Sequence, residues 1–177
     1  MNRLTELPPE QQTAEQKKVF EQLVAGRGRI LGPYKIWIHS PTVASGMEHI
    51  GTYLNKKGSL SEREVEIGIL LTAQHWDANY VRQAHIKMGK QVGLSQEIID
   101  AVLAGQDPKL TDPHERGVHR FATSLLKGAK LSDAEFGEVE KAIGRDGIAE
   151  VLVLIGYYTS VALGMKVHEV PIPAPTA

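Results

Sequence analysis

The chain has 177 residues, a net charge of −1 at pH 7 and no cysteine. Its length fits one domain with its own core, and a composition of 42% hydrophobic and 23% charged residues excludes general disorder. The near balance of 20 basic and 21 acidic side chains gives no electrostatic reason to expect a nucleic acid or a membrane surface as partner. Without cysteine, this chain forms no disulfide, thiolate metal site or thiol redox centre.

The two ends of the chain carry weak helix signals. Residues 1–12 lack the apolar segment of a secretory signal and are expected to form an N-terminal arm. Residues 167–177 are rich in proline, which does not continue a helix, so they predict an extended tail. The longest apolar run, 151–156, is far shorter than the ~20 residues of a membrane-spanning helix. We therefore expect a soluble, cytoplasmic protein.

Helix signals follow one another along the chain, and strand signals are nearly absent. Three predicted helices begin with a capping box, two with a polar residue before proline, and two with a single polar cap. In that order, the caps are Thr13, Ser61 and Ser132, then Ser40 and Asp112, then Asp77 and Ser95. The predicted helices cover about 13–26, 40–54, 61–74, 77–92, 95–105, 112–125, 132–144 and 147–165, with a glycine-rich loop at 26–33.

The last predicted helix, 147–165, is apolar on most faces. A helix of this kind is usually central in its fold or covered on one side by a partner subunit. Together the helix signals predict an all-α protein, a single-domain bundle of about eight helices over residues 1–177.

The polar residues best suited to chemistry lie between 61 and 85. Glu66 stands on an otherwise apolar helix face, where an unpaired carboxylate is costly. On the next predicted helix, Ala78, Val81 and His85 share a face whose small side chains leave room for a pocket. If the two helices form a hairpin, Glu66 and His85 face each other, and such a pair suits general acid–base catalysis. The alternative is a structural hydrogen bond that satisfies a core histidine.

Other side chains near the predicted hairpin are candidates for binding a substrate. His75, Trp76 and Tyr80 lie close to the turn, where the alternative is packing and turn formation. Arg63 could hold a substrate carboxylate by a two-pronged contact, with a solvated first-turn residue as the alternative. None of the seven histidines has the His-x-x-x-His or Glu-x-x-His spacing on one helix, so no metal site is expected.

Five segments in a fixed order carry a resemblance to a known family. They read HSP at 39–41, LSEREVEIGILLTAQHW at 60–76, NYVRQAH at 79–85, VGLSQEIIDAVLAG at 92–105 and VLVLIGYYTSVALGM at 151–165. In these segments the chain resembles the carboxymuconolactone decarboxylase family, within the alkylhydroperoxidase-D-like fold. The resemblance implies that this all-α fold is shared and that subunits assemble into homo-oligomers, trimers or hexamers.

The resemblance also assigns roles to positions. Glu66 and His85 match the proton-relay pair of the peroxidase branch, and Ala78 and Val81 stand where that branch carries its Cys-x-x-Cys pair. A disulfide-based peroxidase does not work through alanine and valine. The decarboxylase branch often has a Glu four residues before the His, and this position is again Val81, which counts against strict carboxymuconolactone decarboxylation.

Residues and resemblance together favour a cofactor-free lyase or isomerase, decarboxylase-like, acting on a small carboxylated or lactone-type ring in aromatic compound catabolism. His85 is expected to act as general acid and base, with Glu66 orienting its imidazole. One alternative is a hydroperoxide reductase of the peroxiredoxin type, disfavoured by the absence of cysteine. The other is a non-catalytic helical oligomer that binds a small ligand.

Overall fold

The computed structural model describes residues 3–4, 7–28, 30 and 32–172. Within these residues the chain forms eight α-helices and no strand, which confirms the all-α prediction. A 3₁₀ turn, Pro9–Gln11, precedes them. The helices are α1 Ala14–Arg27, α2 Gly32–Trp37, α3 Pro41–Lys56, α4 Glu62–His75, α5 Asn79–Gln91, α6 Gln96–Leu103, α7 Pro113–Leu126 and α8 Asp133–Val167.

Most helix starts are set by local sequence. The three capping boxes, at Thr13, Ser61 and Ser132, form as predicted, with both reciprocal hydrogen bonds present in each. Ser95 accepts a hydrogen bond from a backbone N–H of α6, and Asp112 accepts two from α7. These caps satisfy amide groups that would otherwise lack partners in the first turn.

The predicted cap at Asp77 is wrong. Asp77 has a left-handed backbone (φ 46°), and the N-cap of α5 is Ala78, which makes no side-chain cap. The chain reverses between α4 and α5 within three residues, and Asp77 takes the left-handed conformation of that turn instead of the extended one typical of an N-cap. Its carboxylate accepts a hydrogen bond from Arg82 at 3.0 Å.

The glycine-rich segment 26–33, predicted to be a loop, is partly helical. Helix α1 continues to Arg27 and ends at Gly28, which has φ 74° and donates to the carbonyl of Val24 at 2.7 Å. Helix α2 then begins at Gly32. Its Tyr34 and Trp37 are buried, so tertiary packing of two aromatic side chains supports a helix too short to be stable alone.

The range of α8 contains the last two predicted helices, which meet at a break in the helical backbone. Gly144 has φ 68° and ψ 176°, so the helix is broken where the sequence places the end of one helix and the start of the next. Beyond the break, α8 buries one face in the core through Val151, Leu154, Ile155, Val161, Ala162 and Met165.

By length and composition, α8 is one helix that could cross a membrane. The apolar run 151–156 alone understates it, because the helical segment after the break at Gly144 continues to Val167. Half of its most apolar window is buried inside the fold, as in the core helix of a globular protein.

Helix α4 is the centre of the bundle and packs against α5, α6, α7 and α8. Ten consecutive residues of α4, from Glu64 to Ala73, are buried. Gly68 allows close approach of α8, because a Cβ there would lie 2.6 Å from Leu154 Cδ2. A polar side chain halfway along α4 is therefore surrounded by other helices.

The ends of the described chain contact each other. The Arg3 N–H donates to the carbonyl of His168 at 2.7 Å, and the Arg3 guanidinium pairs with Glu169 at 2.9 Å. Arg3, in the predicted N-terminal arm, thus lies beside the end of α8. Of the predicted proline-rich tail, residues 173–177 lie outside the described residues.

Candidate acid–base site

The hairpin of α4 and α5 brings Glu66 and His85 together. His85 Nδ1 lies 2.8 Å from Glu66 Oε2, and the two side chains are 11% and 5% exposed, respectively. Glu66 stands in the buried middle of α4, and His85 stands in the second turn of α5. The carboxylate that the sequence places on an apolar face is thus partnered, as a buried charge requires.

With an ionised Glu66, which only accepts hydrogen bonds, this contact requires the proton of the imidazole on Nδ1. The lone pair of neutral His85 is then on Nε2, which is the atom available as a base. A protonated imidazole would carry its charge next to the carboxylate, which stabilises it.

Tyr158 of α8 fixes the imidazole from a second direction. Its ring packs against that of His85 with centroids 5.3 Å apart and planes at 88°. Tyr157 extends this contact at 5.2 Å, and Trp37 packs on Tyr157 at 5.7 Å. The Tyr157 hydroxyl lies 3.1 Å from that of Tyr34. Sequence reasoning missed this aromatic row, although two adjacent tyrosines inside an apolar helix signal polar tips that need partners.

Ala78 and Val81 are buried beside the pair. They are 3% and 2% exposed and belong to the hydrophobic core. Tyr80 is half-buried, and its hydroxyl lies 3.0 Å from where a Cβ of Gly32 would stand, so it contacts the start of α2. Val81 lies four residues before His85 on α5, so a buried apolar side chain shares the helix face of the imidazole.

His75 and Trp76 stabilise the hairpin turn. The Trp76 indole donates to Thr159 Oγ1 at 3.1 Å, and its carbonyl accepts from Lys166 Nζ at 2.7 Å. His75 is exposed and packs edge-on against Trp76 at 4.9 Å. The contacts of Trp76 join the turn to α8.

The guanidinium of Arg63 is engaged within the protein. Its Nε donates to Glu115 Oε1 at 2.6 Å, its Nη2 to Glu115 Oε2 at 3.2 Å, and its Nη1 to the carbonyl of Gly93. The hydrogen bond with Glu115 raises the pKa of Arg63, although burial opposes this. Arg63 is therefore not the solvated residue of the sequence alternative: it compensates the buried carboxylate of Glu115, and its two-pronged contact is with α7.

A second Glu–His contact lies at the start of α4. His114 Nδ1 hydrogen-bonds Glu64 Oε1, while Glu64 Oε2 accepts from the Ser61 N–H at 2.7 Å. Glu64 thus closes the capping box and joins α4 to α7. This pair was not predicted, because Glu64 and His114 are 50 residues apart and no local pattern connects them.

Two cavities in the described chain have volumes of about 400 and 260 Å³. Neither is lined by Glu66 or His85, so the pocket predicted above Ala78 and Val81 corresponds to neither of them. Across the described residues, no group of three or more His, Asp or Glu side chains is arranged to hold a metal ion.

No protein-family model and no curated protein matches the chain. Solved structures do match. A peroxidase-related protein from Silicibacter sp. TM1040 aligns with a TM-score of 0.76 at 14% identity, over 98% of this chain and 93% of its own. The debrominase Bmp8, in complex with 2,3,4-tribromopyrrole, aligns with a TM-score of 0.73 at 13% identity, over 97% and 91%.

A third match is an Agrobacterium tumefaciens protein of unknown function, provisionally assigned as the antioxidant defence protein AhpD. It aligns with a TM-score of 0.67 at 18% identity, over 78% of this chain and 95% of its own. At these identities the shared property is the fold. The chain has the alkylhydroperoxidase-D-like fold that its sequence resembles.

Proposed function

We propose that the chain is a small-molecule enzyme in which His85 and Glu66 transfer protons, a lyase or isomerase for a small carboxylated or lactone-type ring. The observation that carries this proposal is the buried contact of 2.8 Å between His85 Nδ1 and Glu66 Oε2. An imidazole that a carboxylate orients, in an apolar surrounding, is an arrangement typical of general acid–base catalysis.

The proposed decarboxylation needs one proton at carbon. The bond between the ring and the substrate carboxylate breaks, CO₂ leaves, and the electron pair passes into a conjugated carbonyl to form a dienolate. Protonated Nε2 of His85 then delivers its proton to the ring carbon, and solvent restores the proton. In an isomerisation, Nε2 takes a proton from one carbon and returns it to another.

Glu66 contributes by holding the imidazole. Its carboxylate keeps the Nδ1 proton in place, so that Nε2 alone exchanges protons with a substrate, and it stabilises the imidazolium. Few atoms around the pair are exposed, so water screens the attraction between the Glu66 carboxylate and the imidazolium only weakly. This attraction is therefore stronger than it would be in water.

Fold neighbours support the ligand class but not the reaction. The debrominase of this fold was solved with a brominated pyrrole, a small ring compound. We infer a ring compound of similar size for this chain. A peroxidase reaction of the disulfide type would need thiols, and positions 78 and 81 carry Ala78 and Val81.

A second candidate is a protein that binds a small ligand without converting it. The low exposure of the Glu66–His85 pair favours this role. Incubating the protein in D₂O with muconolactone-like lactones and β-keto acids separates the two candidates. An enzyme releases CO₂ or places deuterium at substrate carbon, as seen by NMR. A bound ligand in native mass spectrometry, with neither product from any compound, would favour the second candidate.

The peroxidase alternative has its own test. We expect no dithiol-dependent consumption of hydrogen peroxide or an organic hydroperoxide above the rate of buffer. The physical reason is that no side chain of this chain can form the disulfide. The assay follows peroxide loss with dithiothreitol, and turnover proportional to protein concentration would contradict the acid–base proposal.

The expected homo-oligomer also remains a proposal, and exposed apolar residues of α8 support it. Leu152, Val153, Leu163 and Val167 are 40–60% exposed on a helix whose other face is in the core. We expect light scattering to give the mass of a trimer or hexamer of the 19.4 kDa chain. A monomeric mass across the micromolar range would contradict this expectation.

A further inference from the structure

A second imidazole beside a buried carboxylate lies where the first turns of α4 and α7 meet. His114 Nδ1 hydrogen-bonds Glu64 Oε1, and Glu64 Oε2 accepts from the Ser61 N–H at 2.7 Å. The two side chains of the pair differ in exposure, since that of Glu64 is 6% and that of His114 is 40% exposed. The carboxylate is thus held inside the fold, while the ring that it orients reaches the surface.

The contact with Glu64 leaves the other ring nitrogen of His114 available for reaction. With an ionised Glu64, which only accepts hydrogen bonds, the proton of the neutral imidazole is on Nδ1 and its lone pair is on Nε2. This Nε2 makes no hydrogen bond within the described chain, and it reaches solvent. A positive charge that forms on the ring lies next to the Glu64 carboxylate, which stabilises it. An accessible lone pair backed by a carboxylate is typical of an activated nucleophile.

Two other histidines each have only one of these features. His85 has its carboxylate partner but is 11% exposed. His49 is exposed on α3 and forms no ion pair with a described residue. If exposure alone set the reactivity of an imidazole, His49 would react faster than the half-exposed His114. If the carboxylate partner sets it, His114 reacts faster than His49.

We propose that His114, oriented by Glu64, is a second reactive site, a nucleophile that takes an acyl group from an activated ester and passes it to water. The lone pair of Nε2 attacks the ester carbonyl carbon, the bond from this carbon to the phenolic oxygen breaks, and the phenolate leaves with the electron pair. Glu64 stabilises the acylated imidazolium. Water then attacks the acyl carbon, the electron pair of the C–N bond returns to Nε2, and the carboxylic acid is released.

The class of substrate follows from where the pair lies. Neither of the two cavities described above is lined by Glu64 or His114, so the pair meets its reaction partner at the surface. A neutral imidazole displaces a stable anion such as a phenolate more readily than an alkoxide. The site is therefore matched to acyl donors with a good leaving group, and it is distinct from the proposed acid–base site at His85.

The first test uses the wild-type protein and compares two histidines within it. Diethyl pyrocarbonate acylates imidazole nitrogen, and peptide mass spectrometry over time gives the rate at each histidine. We expect His114 to react about tenfold faster than His49, because a hydrogen bond to a charged group stabilises the imidazolium that forms. A rate at His114 equal to or below that at His49 would overturn the proposal.

Glu64→Gln provides the second test. Glutamine can close the same capping box through its amide oxygen, which turns its NH₂ toward Nδ1 of His114 and moves the ring proton to Nε2. We expect the acylation rate at His114 to fall about tenfold. Glu135→Gln makes the matched change in the Ser132 capping box and should leave that rate unchanged. Equal rates at His114 in both variants would contradict the role of Glu64.

Transfer of the acyl group to water has a separate readout. With p-nitrophenyl acetate in excess, the wild type should release more p-nitrophenolate than the acetyl groups that remain on the protein. His114→Gln should lose most of this excess, and His49→Gln should keep it. Release that stops at the number of retained acetyl groups, or an excess that His114→Gln keeps, would overturn the transfer to water. These readouts report on His114 and do not depend on any activity of His85.

Discussion

Replacement of His85 by glutamine is expected to lower turnover by about 10²–10⁴-fold with little change in folding. Glutamine retains an amide N–H that can reach Glu66, so the buried carboxylate keeps a partner. It has no nitrogen that titrates near neutral pH, so proton transfer at carbon loses its acid and base. The measurement is the rate of CO₂ release or deuterium incorporation, with any lactone or β-keto acid that the wild type converts.

His49→Gln is the matched control for this variant. His49 is exposed on α3, so the same substitution should leave both rate and melting temperature unchanged. Wild-type turnover in His85→Gln would show that this imidazole does not carry the chemistry. A rate loss accompanied by an equally large loss of folded protein would assign His85 a structural role instead.

Glu66→Gln separates orientation from acid–base chemistry. Its amide oxygen can still accept from Nδ1, while its NH₂ can instead donate to Nδ1 and move the imidazole proton to Nε2. The variant also removes the charge that stabilises the imidazolium. We expect a rate loss smaller than that of His85→Gln. An unchanged rate would leave Glu66 with a purely structural role.

Local sequence determines much of the scaffold that holds this pair. The Ser61 capping box fixes where α4 begins, and Glu66 then lies halfway along the buried part of that helix. A spacing of 19 residues and a three-residue turn place His85 opposite Glu66. Both features depend on interactions within one hairpin, which is why they could be read from the sequence.

Contacts across long stretches of sequence could not be predicted in this way. Tyr158 reaches His85 from α8, and Glu115 of α7 engages Arg63, 52 residues earlier. Helix α2 forms because Tyr34 and Trp37 are buried, not because its sequence favours a helix. A helical pattern gives the face on which a residue lies, but the partner facing it follows from the packing of the whole bundle.

Glu150 is the clearest case of a residue whose importance comes only from tertiary contacts. It lies buried on α8, and its carboxylate accepts hydrogen bonds from Tyr53 at 2.7 Å, from the N–H and hydroxyl of Ser59, and from the N–H of Leu60 at 3.1 Å. Ser59 and Leu60 directly precede the capping box of α4. A Cβ at Gly58 would lie 2.8 Å from Glu150 Oε2, so the loop wraps the carboxylate closely.

Glu150→Ala is expected to reduce the free energy of unfolding by about 2 kcal/mol, because it leaves the buried Leu60 N–H without an acceptor and removes the partly buried hydrogen bonds from Tyr53 and Ser59. For a chain of this size, such a loss lowers the melting temperature by roughly 4–8 °C. Glu140→Gln on the same helix is the control. Its partner Arg145 is highly exposed, so its effect should stay below about 0.5 kcal/mol. Equal melting temperatures for Glu150→Ala and wild type would contradict the role of this carboxylate.

The contribution of Glu150 should also depend on pH. Burial alone raises the pKa of Glu150, but the donors of Ser59, Tyr53 and Leu60 together bring it below its ordinary value. A carboxyl whose pKa is lower in the folded state stabilises the fold above its unfolded pKa of about 4.3, and loses this effect as pH falls through the folded value. The stability difference between wild type and Glu150→Gln should therefore be full at pH 7 and shrink in denaturant titrations below about pH 4. A difference that stays constant down to pH 3 would mean that the ionised carboxylate is not what holds the start of α4.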